Sequence, residues 1–199
     1  MEPAARSPVF RLPGGEPVRL RPLRPDDADH LQAYVRGLSG ESRHNRFLGT
    51  LSELAPSQLD RLCAMDGRAG SAWLALAGEG PKAAMIAEAI QVTAPGSLRC
   101  EIALSVADPW QRRGLGTLLL RKMECRARKL GARCLFGDVL RTNVAMKGLA
   151  RKAGFSIRSP FTDARLVEIV KDLSLPPSGV PCDDRFAPPP NTPAQMIAQ

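Results

Sequence analysis

The chain has 199 residues, enough for one domain with a full core and too few for two comfortable ones. Hydrophobic residues make up 44% and charged ones 24%; no apolar run reaches the about 20 residues of a membrane helix, and the first residues lack the apolar stretch of a secretory signal. The net charge of +8 comes from dispersed lysines and arginines with only 5% aromatics and no nucleic-acid-binding motif, so we expect a cytoplasmic protein with neither nucleic-acid nor membrane partners.

Residues 1–16 carry Pro3, Pro8, Pro13 and the pair Gly14-Gly15, a composition that predicts a flexible arm with no part in chemistry. Val18 to Leu23 alternates like a half-buried strand, and Pro22 assigns it to a sheet edge. Pro25-Asp26-Asp27-Ala28-Asp29 then starts a helix whose apolar face is Leu31, Tyr34, Val35 and Leu38. The polar run Ser42 to Phe47 reads as a solvated connector with Phe47 as a core plug. A second helix is predicted over Pro56 to Met65, with Leu59 and Leu62 inward.

Ser71 to Ala77 and Ala83 to Val92 read as consecutive antiparallel strands, and a turn at Thr93 to Ser97 leads into a third, Leu98 to Val106. Both arms of this last hairpin contain a glutamate among apolar residues, Glu88 and Glu101, and a carboxylate in such a setting needs a partner, water or a raised pKa. Whether the two stand opposite one another depends on a register that a slip of one residue would invert. Ile102, Leu104 and Val106 alternate with Glu101, Ala103 and Ser105, so Glu101 belongs to the face of small residues.

After Asp108-Pro109 ends that strand, Gln111-Arg112-Arg113-Gly114-Leu115-Gly116-Thr117 opens a helix with apolar positions at Leu115, Leu118, Leu119, Met123, Ala127 and Leu130. A helix start has backbone N–H groups without partners and carries partial positive charge; glycines let an anion come close to it. With two arginines alongside, this stretch predicts a seat for a pyrophosphate. Arg133 to Leu140 is a strand parallel to Leu98–Val106, because a helix crosses between them. Asn143 caps a further helix that stops at Gly154, and Phe155 to Arg158 and Leu166 to Leu173 supply two last strands. Residues 174–199 are rich in proline and predict a disordered tail. The five cysteines form no C-x-x-C pair and only two histidines accompany them, so no metal is expected, and the thiols read as small buried hydrophobes rather than nucleophiles.

Taken together, QRRGLG after a strand and before a helix, and RTNVAMKGLARKAGF downstream, resemble motifs A and B of the GNAT superfamily of acetyl-CoA-dependent N-acyltransferases. EIALSVADPWQRRGLGTLLL is especially similar to the acyltransferase domains of bacterial protein lysine acetyltransferases, and RPLRPDDA at the first strand and helix is similar to many GNAT beginnings. The resemblance covers roughly Val18 to Asp172 and implies an α/β (α+β) domain over residues 17–173. In that fold a mixed sheet of six to seven strands has an antiparallel N-terminal part, a splayed parallel pair and helices on both faces.

By resemblance, acetyl-CoA is the co-substrate and no metal takes part. Leu104, Ser105 and Val106 flank the pantetheine and thioester, Gln111 to Thr117 hold the pyrophosphate, and Asn143 hydrogen-bonds the pantetheine side. Glu101 matches the catalytic glutamate of the protein lysine acetyltransferases and is expected as general base. Arg43, His44 and Arg46, in the region that borders the acceptor site of similar enzymes, and Glu88 are expected near the acceptor. One departure from the family pattern is Ala150, where many GNAT enzymes have a tyrosine that protonates the leaving thiolate. The expected reaction is acetyl transfer to a primary amine, a protein lysine first. A small-amine or antibiotic acetyltransferase, or a non-catalytic acyl-CoA-binding module of the same fold, remain the alternatives, and the chain is expected to be a monomer or homodimer.

Overall fold

The computed structural model describes residues 9–67, 70–78, 80, 83–159 and 163–174. The expected tail beyond Ser174 and the first eight residues of the expected arm lie outside these, as does Cys182. The strands are β1 (Val9–Arg11), β2 (Pro17–Pro22), β3 (Gly70–Ala77), β4 (Ala84–Thr93), β5 (Arg99–Val106), β6 (Cys134–Leu140), β7 (Ser156–Arg158) and β8 (Leu166–Asp172). They form one sheet in the order β1-β2-β3-β4-β5-β6-β8-β7. The helices are α1 (Ala28–Gly37), α2 (Gly40–Phe47), α3 (Pro56–Cys63), α4 (Leu115–Lys129) and α5 (Val144–Lys152).

All neighbouring strands run antiparallel except β5 and β6, which are parallel. The reason is the α4 crossover, which returns the chain to the same end of the sheet before β6 begins. Sequence alternation sorts the two faces. Leu31, Tyr34 and Val35 of α1 and Cys63 of α3 pack with Ala72 and Leu74 on one face. Leu115, Leu119 and Met123 of α4 pack with Ala89, Ile102 and Leu135 on the other, and Ala150 of α5 joins them. The mixed α/β sheet with helices on both faces is the architecture expected.

Two elements differ from expectation. Val9–Arg11, placed in the loose arm, pairs with β2 so that Val9 stands opposite Arg19, and the following Leu12 is buried. This edge strand brings the sheet to eight, one more than the upper figure expected. The run read as a connector is helix α2. Ser39 caps it by accepting a hydrogen bond from the Ser42 N–H at 3.1 Å, with Glu41 in the first turn. No residue of α2 is buried, so the helix carries no apolar periodicity for a sequence pattern to report.

The β5–β6 ladder positions the site. It comprises only Arg99 with Cys134, Cys100 with Leu135 and Glu101 with Phe136. Beyond this point β6 stays paired with β8 as far as Leu140, while β5 keeps β4 on its other side as far as Val106. The two parallel strands therefore part after Glu101 and Phe136. At the parting Gly137 leaves room for the Ile102 carbonyl, which would lie 2.6 Å from a Cβ on that residue.

Candidate active site

The open edge of β5 leads directly into the turn before α4. Gly114 takes the N-cap position with φ of +91°, a left-handed conformation that glycine adopts without strain, and Arg112 also has positive φ, at +59°. The first hydrogen bond into the helix runs from the Leu118 N–H to the Gly114 carbonyl. The N–H groups of Leu115, Gly116 and Thr117 precede it and have no carbonyl one turn back within the helix. Together with the positive end of a 15-residue helix and two arginines, these donors fit a pyrophosphate. Gly116 has a second task, because a Cβ there would meet Leu149 of α5 at 2.8 Å.

This turn and the parted strands line one cleft of about 1390 Å³. Of the expected donor-site residues, Leu104, Ser105, Val106, Gln111, Arg112, Arg113, Gly114, Gly116, Thr117 and Asn143 line it. Leu115 does not. Its side chain is 1% exposed and belongs to the core, so only its backbone faces the turn. Asn143 caps α5 by accepting from the Met146 N–H at 2.9 Å, which leaves its amide NH₂ as a donor toward the cleft. Gln111 bridges the cleft's two walls, its Nε2 donating to the Val106 carbonyl and to the Ser42 hydroxyl, both at 3.1 Å.

The acceptor-side expectations separate. Arg46 lines the cleft, but its guanidinium is committed to Glu88, with Nη2 to Oε2 at 3.2 Å and a closer contact from Nε to Oε1. Glu88 is 4% exposed and lies under the sheet surface rather than in the cleft. Register puts it opposite Ser105, whereas Glu101 stands opposite Val92, so the two glutamates share a face four residues apart and do not confront one another. Arg43 donates to the backbone carbonyls of Arg36 and Leu38 and ties α2 to α1, and His44 is exposed; neither lines the cleft. Glu101 is exposed at the point where the strands part and is not among the cleft-lining residues. Its surroundings are therefore not the apolar ones expected of a strand glutamate.

Several contributors carry no sequence signal. The Ser105 hydroxyl donates to Glu88 at 3.1 Å and so receives the Tyr34 hydroxyl at 2.9 Å, although Tyr34 is 71 residues away. Burial, with the Glu88 charge second, pushes the Tyr34 phenol well above its usual range, and it stays a donor. Asp108 accepts from the Ser39 N–H, the Ser39 hydroxyl and the Ser42 hydroxyl, at 3.0, 2.8 and 2.7 Å. Burial alone would raise that carboxyl, but these hydrogen bonds outweigh it and hold it below the ordinary range. The cluster clamps the start of α2 to the end of β5, giving the cleft its second wall. Pro13 and Glu16 also reach the cleft from the turn between β1 and β2, a stretch expected to have no catalytic role. Pro13 would contact a Cβ on Gly114 at 2.9 Å, and Glu16 pairs with Arg113 at 3.1 Å.

Residues 45–155 match the acetyltransferase (GNAT) family, more than half the chain. The chain belongs to that family. It is 32% identical over 147 residues to an acetyltransferase of Pseudomonas aeruginosa, covering 74% of this chain and 79% of the relative. Its fold superposes on the GNAT domain of an S. lividans protein named PAT with a TM-score of 0.76 at 26% identity, over 86% of this chain and 99% of that one. The spermidine N-acetyltransferase of Vibrio cholerae, solved in complex with CoA and spermine, shares the fold with a TM-score of 0.61 at 14% identity, over 79% of this chain and 96% of that one. The protein is a GNAT acetyl-CoA-dependent N-acetyltransferase. Among the described residues, no group of three or more His, Cys, Asp or Glu side chains converges as a metal site.

Proposed function

We propose that this GNAT enzyme acetylates a lysine side chain of a protein by direct attack of the amine on the thioester of acetyl-CoA. The observation that carries the reading is the free edge of β5 from Ile102 to Val106, which leads onto the unpartnered N–H groups of α4. An extended acyl-pantetheine adds to such an edge as a strand would, with its pyrophosphate at the helix start. The backbone N–H groups near Ser105 and Val106 then face the thioester oxygen and stabilise the charge that develops on it. Gln111 and the Asn143 amide supply polar contacts along the arm, and Arg112 and Arg113 offset phosphate charge.

In this reading the amine nitrogen forms a bond to the carbonyl carbon, the C–S bond breaks, and the CoA thiolate leaves. Glu101, exposed at the base of the gap, takes the amine proton through water as general base. Ala150 is fully buried and Tyr34 is held beneath β5 by Ser105, so neither reaches the sulfur, and solvent protonates the thiolate. The similarity of EIALSVADPWQRRGLGTLLL to the acyltransferase domains of bacterial protein lysine acetyltransferases supports a protein acceptor. Incubating a lysate with isotopically labelled acetyl-CoA and enzyme, followed by mass spectrometry, tests both claims against a Glu101→Gln control. New acetyl-lysines should appear on a restricted set of proteins and fall by about 10²–10⁴ in rate with the control. Wild-type rates from Glu101→Gln sink the assignment of the base, and label confined to small polyamines sinks the protein acceptor.

A further inference from the structure

The β5–β6 register places one more carboxylate at the gap. Glu101 pairs with Phe136, and two residues further along the parallel strands Ala103 and Asp138 occupy corresponding positions on the same face, now without a ladder between them. Asp138 lines the cleft together with Ala103, Leu104 and Ser105, whereas Glu101 does not. Asp138 makes no hydrogen bond or ion pair among the described residues.

The arginine on the same face of β5 is committed elsewhere. Arg99 binds Glu168 at 2.5 Å and stacks over Phe136 at 4.4 Å from the ring centre. Glu168 in turn stands directly opposite Asp138 on β8, with Arg158 of β7 on its far side. Across the cleft Arg46 is held by Glu88. Although open to the cleft, the Asp138 carboxyl is raised above its usual range, by desolvation first and by the Glu168 charge second. A free carboxylate without a cation, beside the place where a thioester carbonyl would lie, is left for a cation brought by the substrate.

We propose that Asp138 is the acceptor-binding residue, receiving the ammonium group of the incoming primary amine and orienting it into the gap before Glu101 takes its proton. This rests on the amine-acetyltransferase reading above and adds a specificity element to it: the acceptor is a primary amine on a flexible cationic arm, and a neutral arm of equal length is refused. The two carboxylates divide the work, Asp138 acting on binding and Glu101 on turnover.

The test uses the full chain saturated with CoA and Nα-acetyl-lysine methylamide as the probe, with binding followed by NMR titration and turnover by release of thiol from acetyl-CoA. Asp138→Asn should weaken the probe about two- to fivefold, the size of an exposed ion pair, with CoA affinity unchanged. Asp138→Glu should restore it to within about twofold, and Glu101→Gln should bind like the wild type. In the wild-type protein, the norleucine analogue of the probe should bind about two- to fivefold more weakly than the lysine probe, a comparison that stands even if a variant folds poorly. Equal binding of the lysine and norleucine probes, no binding at all, or full affinity in Asp138→Asn overturns the proposal. A probe that binds through Asp138 without ever being acetylated would instead remove the catalytic reading and leave this one standing.

Discussion

Removing Arg46 should destabilise the protein far more than an ordinary surface substitution, because it strands the Glu88 carboxylate. The two side chains are 12% and 6% exposed, and among the described residues the carboxylate accepts, besides Arg46, only from the Ser105 hydroxyl. Breaking one half of such a pair costs about 3–5 kcal/mol, since the remaining charge is buried without compensation. At about 2–4 °C per kcal/mol for a domain of this size, Arg46→Ala should lower the melting temperature by about 6–20 °C. The discriminating variant is Arg46→Ala with Glu88→Gln, in which no charge is left buried and the Gln amide can still meet Ser105. Denaturant unfolding of the wild type, both single variants and the double variant closes the cycle. The double variant should regain most of the stability lost in Arg46→Ala. A loss below about 1 kcal/mol for Arg46→Ala, or a double variant as unstable as that single one, would refute the reasoning that burial of the charge dominates.

Gly137→Ala sets a Cβ 2.6 Å from the Ile102 carbonyl, where backbone has to move, and overpacking of this kind costs about 1–3 kcal/mol. Because the strain falls where β5 and β6 part, calorimetry should show weaker CoA binding along with the lower melting temperature; unchanged values for both would show that the parting tolerates a methyl. Glu16→Gln frees Arg113 from its carboxylate partner, so CoA should bind about two- to fivefold tighter, the scale of a half-exposed ion pair, and weaker binding would mean that Glu16 helps to seat the donor. Asp27 accepts from Arg21 at 2.5 and 2.6 Å and from the Arg24 N–H at 2.8 Å; although burial opposes it, these contacts hold the carboxyl below the usual range. A carboxyl with a depressed folded-state pKa binds its proton more readily when unfolded. Its contribution is therefore complete above the unfolded value of about 4 and is lost as pH falls through the lower folded value. Unfolding free energies measured from pH 6 to pH 2 should fall less steeply for Asp27→Asn, and parallel slopes would show that Asp27 contributes none of the acid sensitivity.

Most of the fold was readable because its signals are local. Alternation at Ile102, Leu104 and Val106, helical spacing from Leu115 to Ala127, and the glycine at position 114 each act within a few residues, and the strand-turn-helix they describe is where the structure places it. The crossover length alone made β5 and β6 parallel. The elements missed were those without apolar periodicity. Helix α2 has no fully buried residue and is held by the Ser39 cap and the Asp108 clamp, and β1 is a three-residue edge recruited by β2.

The candidate site divides along the same line. Its proposed donor half, Gln111 to Gly116, is a contiguous stretch whose expected chemistry follows from helix ends and glycine conformation, so residue order was sufficient to propose it. The acceptor half is assembled by register and packing across long separations. Glu88 and Glu101 differ in burial and partner by where β4 meets β5, Tyr34 reaches Ser105 from 71 residues away, and Asp138 faces Ala103 across the gap because the parallel register aligns them and the ladder ends at Phe136. Those pairings depend on which faces are buried against which helices, a property of the folded whole that no window of sequence contains.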